Sequence, residues 1–145
     1  MVIDGTECPI QRPNSSIQRT YYSGKSKAHT IKYEIGVSLL EPQLVWVSGP
    51  VPGSVHDLTL TRRNKLFRKL IPGERILGDI GYVGHPRMIT PLKKNFKNLS
   101  ERIRRLFNKK LGKIRVRVEH VLHRIKVFDC FKREWRHNLN YHQVA

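Results

Sequence analysis

Residues 99–128 read LSERIRRLFNKKLGKIRVRVEHVLHRIKVF, and their spacing decides the fold. Ile103, Phe107, Leu111, Ile114, Val118, Leu122 and Ile125 recur every three or four residues, which predicts one long amphipathic helix. Ser100 is the expected N-cap, just ahead of Glu101 and the first apolar position. Gly112 is a weak point inside the helix, costing about 1 kcal/mol relative to Ala. The other faces carry Arg102, Arg104, Arg105, Lys109, Lys110, Lys113, Arg115, Arg117, Arg124 and Lys126. A helix with one apolar stripe must bury it against another layer.

The segments before it supply that layer. RILGDIGY (75–82) reads as a short buried strand ending at a glycine-flanked Asp79. Residues 83–98, with Pro86, Pro91 and Asn95, are loop-like, with a small extra strand at Met88–Thr90. Residues 55–71 predict a helix stopped by Pro72-Gly73. HTIKYEIGVSLL (29–40) alternates, with Ile31, Tyr33, Ile35 and Val37 on one side, as in a half-buried strand. QLVWVS (43–48) is a second strand, joined to the first by a tight Glu41-Pro42 connection, and GPVPG (49–53) should break it. Residues 11–27 read as a loop, and residues 1–4 as a strand ending at Asp4. Residues 129–145 look like a fraying tail with Trp135 packing back. Strands covered by helices imply an α/β domain on a mixed sheet, compatible with a ribonuclease-H-like layer.

The chain has the length of one domain, 145 residues, and its 39% hydrophobic and 27% charged composition excludes general disorder. No apolar run reaches membrane-spanning length, and MVIDGTECPI lacks the flanks of a signal peptide, so a soluble, intracellular protein with no membrane partner is expected. Cys8 and Cys130 cannot form a disulfide framework or a zinc cluster. The net charge is +17, and residues 60–145 hold all of the excess. Residues 1–59 balance five basic against five acidic side chains. A one-sign field of that size fits a polyanion, most simply nucleic acid; a solvated basic surface is the plainer alternative.

Among four aspartates, Asp4 and Asp79 stand at strand ends beside glycine, the carboxyl edge where α/β sheets place their sites. Glu119 falls about 60° from Leu122 on the helix wheel, at the border of the apolar stripe, and can lean toward a sheet below. Three converging carboxylates repel one another unless a hard cation such as Mg²⁺ or Mn²⁺ takes their oxygens. Two such ions about 4 Å apart can activate water and stabilise the leaving oxygen of a phosphodiester. The plainer alternative makes Asp4 and Asp79 turn residues, with Glu119 paired to Arg115 or His123.

Several blocks then point one way: DGTECPIQRP (4–13), YYSGKSKAHTIKYEIGVS (21–38), VSGPVPGSVHDLTL (47–60), GERILGDIGYVG (73–84), TPLKKN (90–95) and IRVRVEHVLHRIKVF (114–128). In this order they resemble the catalytic domain of Harbinger-type DDE transposases, the DDE superfamily endonucleases that include the domesticated harbinger transposase-derived nuclease. The resemblance implies a ribonuclease-H-like fold whose long C-terminal helix carries the catalytic glutamate. It implies catalytic Asp4, Asp79 and Glu119, a divalent metal cofactor (Mg²⁺ or Mn²⁺), double-stranded DNA as substrate and a nuclear location. Asp57 in SVHD is a further acidic position, either a metal ligand or a residue offsetting the helix dipole. His56 and His120 are candidates for touching the site. Lys25, Lys27 and His29 are candidates for phosphate contact, and Arg115, Arg117 and Arg124 for the DNA backbone, with solvation as the alternative for both sets.

The resemblance places the catalytic domain at 1–128 and the tail at 129–145. It also implies a helical DNA-binding region ahead of the first strand, so a truncated chain is expected. The competing function is an inactive relic that binds DNA through its basic surface; on either reading a DNA-binding partner protein or a second copy is a candidate partner. A basic RNA-binding protein is a third reading, disfavoured because no aromatic-rich platform is visible.

Overall fold

The computed structural model describes residues 1–14, 16–41, 43–94, 96 and 99–142. Pro42 of the Glu-Pro connection, Asn95 of the 83–98 loop and residues 143–145 of the tail lie outside the described residues. In chain order the elements are β1 (Val2–Pro9), α1 (Gln18–Tyr21), β2 (Tyr22–Ser23), β3 (Ala28–Val37), β4 (Leu44–Pro52), α2 (Asp57–Arg63), α3 (Leu66–Lys69), β5 (Ile76–Leu77), β6 (Met88–Ile89), α4 (Glu101–Ile125) and α5 (Asp129–Lys132). Short 3₁₀ turns follow at Ile80–Tyr82 and Leu139–Tyr141.

The six strands form one mixed sheet. β1 pairs antiparallel with β3 along its whole length, Asp4 facing Ile35 and Glu7 facing Lys32. On its other side β1 runs parallel to β5, and β5 parallel to β6. The outer edge of β3 takes β2 at one end and β4 along the rest. This is the mixed α/β sheet with a long C-terminal helix that the sequence predicts, laid out as in a ribonuclease-H-like fold.

Helices cover both faces. On one face Leu111, Val118 and Leu122 of α4 pack on Val2, Cys8, Ile31, Tyr33, Ile35 and Val37. Each such leucine contributes about 2 kcal/mol by leaving water. On the other face Leu66 packs with Ile3, Ile76 and Tyr82, and Leu60 of α2 is fully buried. β3 lies between these layers, so it is buried on both sides from Thr30 to Val37 rather than half-buried.

Other expectations give way to tertiary structure. β1 continues through Asp4 to Pro9, because eight consecutive residues pair with β3 and override the turn signal of Gly5-Thr6. β4 continues through the GPVP run with a register shift opposite Lys32 and Glu34, instead of ending at Ser48. The helix expected over 55–71 splits into α2 and α3 at Lys65, whose φ of 56° is left-handed. α4 starts as predicted, with Ser100 accepting from Ile103 N–H, and Gly112 does not interrupt it. Of its apolar stripe Leu111, Val118 and Leu122 are buried, while Ile103 stays 54% exposed and Ile114 38%. Residues 129–142 do not fray. Trp135 N–H donates to Pro9 C=O, Gln11 N–H donates to Trp135 C=O, and buried His142 bonds Tyr33 at 2.8 Å.

Candidate active site

Alternation along β1 sends Asp4, Thr6 and Cys8 toward α4 and Ile3, Gly5 and Glu7 toward α2. Asp4 therefore sits under α4 while its neighbour opens a window to the opposite layer. A Cβ on Gly5 would stand 3.1 Å from Asp57 Oδ1, so the bare glycine lets the start of α2 approach the strand. Gly81, in the 3₁₀ turn after β5, does the same. A Cβ there would meet Asp57 Oδ2 at 2.7 Å and Asp79 Oδ1 at 2.9 Å. Asp57 and Asp79 thus bring their carboxylates to the same glycine.

Each acid is held in its own way. Asp79 lies just past β5 and caps the 3₁₀ turn, its Oδ1 accepting from Gly81 N–H at 2.7 Å. Asp4 Oδ1 accepts from its neighbour's amide, Gly5 N–H, at 2.8 Å. Burial pushes the Asp4 carboxyl above its ordinary value, and the charge of Asp79 adds to this; Gly5 N–H, Arg115 and Lys25 pull the other way. Asp57 is the acid in the first turn of α2, whose N-cap, His56, makes no side-chain capping bond. It accepts from Lys32 Nζ at 3.0 Å. Glu119 projects from α4 with 53% of its side chain exposed, and its ionic neighbour is Arg115, Nη2 to Oε1 3.8 Å. The same nitrogen is 3.8 Å from Asp4 Oδ2, so Arg115 links helix and strand. Among the described residues, no three His, Cys, Asp or Glu side chains are drawn together tightly enough to enclose an ion.

Two buried groups behind the acids escape a reading by sequence alone. Lys32, which alternation puts on the polar side of its strand, is buried beneath α2. It donates to Val55 C=O at 2.7 Å and Asp57 at 3.0 Å, and lies 3.7 Å from Glu7 Oε1. Glu34 is fully buried, accepting from Trp46 Nε1 at 2.9 Å and from the Thr61 hydroxyl. Burial raises its carboxyl, against those two hydrogen bonds. The Tyr82 hydroxyl is buried without a partner, and burial together with Glu34, Asp57, Asp4 and Asp79 pushes it well above its ordinary value. A signal for Lys32 existed in the register: opposed Glu7 and Lys32 are a cross-strand charge pair once β1 is extended.

The remaining candidates are dispersed. Lys25 and Lys27 stand exposed in the turn between β2 and β3, and Lys25 is near enough to act on Asp4. That turn is tied down by Ser26, whose hydroxyl donates to Glu7, itself held below its ordinary value: burial works to raise it, but the Ser26 and Ser23 hydroxyls and Lys32 outweigh that. His29 packs edge-on against Tyr22. Arg117 donates to Leu39 C=O, and Arg124 is exposed. His56 is the residue before α2, and His120 is exposed on α4. Two sizeable concavities lie elsewhere: one of about 540 Å³ by Met1, Val45, Trp46 and Leu70, another of about 290 Å³ by Ile10, Arg12 and Trp135. Neither is lined by these acids, whose open setting suits a polymer better than an enclosed small molecule.

Fold and site together define an α/β domain of ribonuclease-H-like layout whose acids come from the central strand β1, the turn after β5 and the start of α2, with Glu119 on a basic helix. The chain belongs to the family described as DDE superfamily endonuclease, which matches residues 3–144. It is 31% identical over 141 residues to a probable transposase for insertion sequence element IS702 of Microchaete diplosiphon, covering 94% of this chain and 49% of that protein. The chain therefore spans about half the length of the curated relative it matches. No solved structure matches the chain significantly.

Proposed function

We propose that this chain is the catalytic domain of a DNA-cutting DDE enzyme, a transposase or a nuclease related to one, of the Harbinger type. The observation that carries this reading is the convergence of Asp57 and Asp79 on Gly81, with Asp4 on the adjacent strand under the Asp79 charge. The donor set is oxygen only, and Asp4 is buried beside the charge of Asp79, which fits a divalent cation such as Mg²⁺ or Mn²⁺. Asp4, Asp79 and Glu119 would hold it, with Asp57 beside them, and when bound it would supply a nucleophilic water and Lewis acidity at the phosphate. Asp79 is preset by its cap on Gly81 N–H, and Asp4 by Gly5 N–H, so neither needs to reorganise. Lys32 holds Asp57 against the site from behind.

Double-stranded DNA is the proposed substrate. Lys25 and Lys27 offer phosphate contacts at one side, and Arg124 and the exposed lysines of α4 at the other. The nucleus is the proposed location. A non-catalytic DNA-binding relic is the second reading, favoured by the Arg115 link, which lets Asp4 and Glu119 rest as simple ion-pair partners. Nicking of supercoiled plasmid in Mg²⁺ separates the two. The enzyme reading expects nicking that EDTA and Asp79→Ala both abolish. Plasmid binding by a folded chain with no nicking would favour the relic.

A further inference from the structure

Arg115 belongs to the arginine-rich helix but does not face outward as Arg102, Arg105, Arg117 and Arg124 do. Its side chain is only 19% exposed, and its Nε is buried with no hydrogen-bond partner. Its Nη2 stands 3.8 Å from Asp4 Oδ2 and 3.8 Å from Glu119 Oε1. Both separations are too long for hydrogen bonds. A guanidinium built permanently into a carboxylate site makes a fork of short bonds, about 2.7–2.9 Å each. Arg115 makes none to these acids, so charge holds it there rather than directed bonding.

One cation between two carboxylates from different elements is the charge arrangement a divalent ion would also supply. The two would compete for that place, because their like charges repel. We propose that Arg115 is the resident counter-ion of Asp4 and Glu119, and that a divalent cation displaces it. The freed guanidinium then turns outward, where a phosphate is its natural partner. This inference rests on the metal-dependent reading above and adds a residue that competes with the metal rather than binding it.

Competition has a linked signature. Arg115→Gln is expected to bind Mn²⁺ roughly tenfold more tightly by titration calorimetry, the size that one largely covered and one half-exposed ion pair support. Without metal, the same variant is expected to melt a few degrees lower, since Asp4 and Glu119 lose their counter-charge. Arg115→Lys keeps the charge and should stay near the wild-type affinity. If Arg115 instead props Glu119 for the metal, Arg115→Gln would bind Mn²⁺ more weakly; equal or weaker binding overturns the proposal. Should that variant fail to fold, the Arg115 side-chain resonance of the wild type is followed as Mg²⁺ is added. A saturable shift supports displacement, and an unmoved resonance in a chain that binds Mg²⁺ overturns it. Absence of any divalent-ion binding by the wild type would overturn the metal reading, and this inference with it.

Discussion

The acids of the sheet and the acid of the long helix are held in opposite ways. Asp4 and Asp79 are fixed by strand pairing and backbone hydrogen bonds, and Asp57, at the start of α2, is set beside them by the glycine windows and Lys32. Glu119 rides on an exposed helix face, and its tie to the sheet acids is the guanidinium of Arg115. One half of the site is built by the fold; the other is brought to it by charge and by the packing of Leu111, Val118 and Leu122. Damage to the sheet side should therefore cost stability, and damage to the helix side should cost assembly of the site.

The sharpest attack on the sheet side is Lys32→Met. It leaves Asp57 and Glu7 without their buried cation, and about 3 kcal/mol of stability should go with it. Urea denaturation checks this, and an unchanged midpoint would mean that water already neutralises those carboxylates. A comparable loss, also about 3 kcal/mol, is expected where the helix is anchored, on Leu122→Ala. In its first turn the same helix should be indifferent: Ile103→Ala is expected to change stability by under about 0.5 kcal/mol. Equal losses at Leu122 and Ile103 would show that something covers the start of α4.

A smaller effect concerns Glu34. Its carboxyl is raised in the folded chain by burial, so the fold favours the protonated form. The folded state then binds more protons than the unfolded one, and stability falls as pH rises upward from the ordinary value near 4.5. Glu34→Gln removes that penalty. Its amide can donate to Thr61, whose hydroxyl also reaches Asp57 C=O, while its oxygen keeps Trp46. Melting temperatures across pH 4 to 7 should move in favour of the variant as pH rises. A constant gap would indicate that Glu34 binds its proton equally well in the folded and unfolded chain.

Much of this contrast could be read from the residues. Asp79 was visible because a short apolar run stops at it between two glycines, and Glu119 because the helical period placed it at the border of a stripe. The mixed sheet and long helix followed from the same periods. Asp4 was visible as a residue but not as a mid-strand one, because Gly5-Thr6 imitates a turn when the partner strand is unknown. Lys32 and Glu34 looked solvated, since alternation cannot say that a second helical layer covers the polar side. Arg115 looked like any other arginine of α4. Only the packing angle of the helix turns it under, toward Asp4.

The central claim is that acids from the sheet and from the helix act as one set. Its most direct test is plasmid nicking in Mg²⁺ by folded single variants Asp4→Asn, Asp79→Asn and Glu119→Gln, with Glu101→Gln on the same helix as control. The account predicts loss of about a thousandfold or more for each of the three, and wild-type cutting by the control. Wild-type cutting by Glu119→Gln, beside inactive Asp4→Asn and Asp79→Asn, would contradict it and take the helix out of the site.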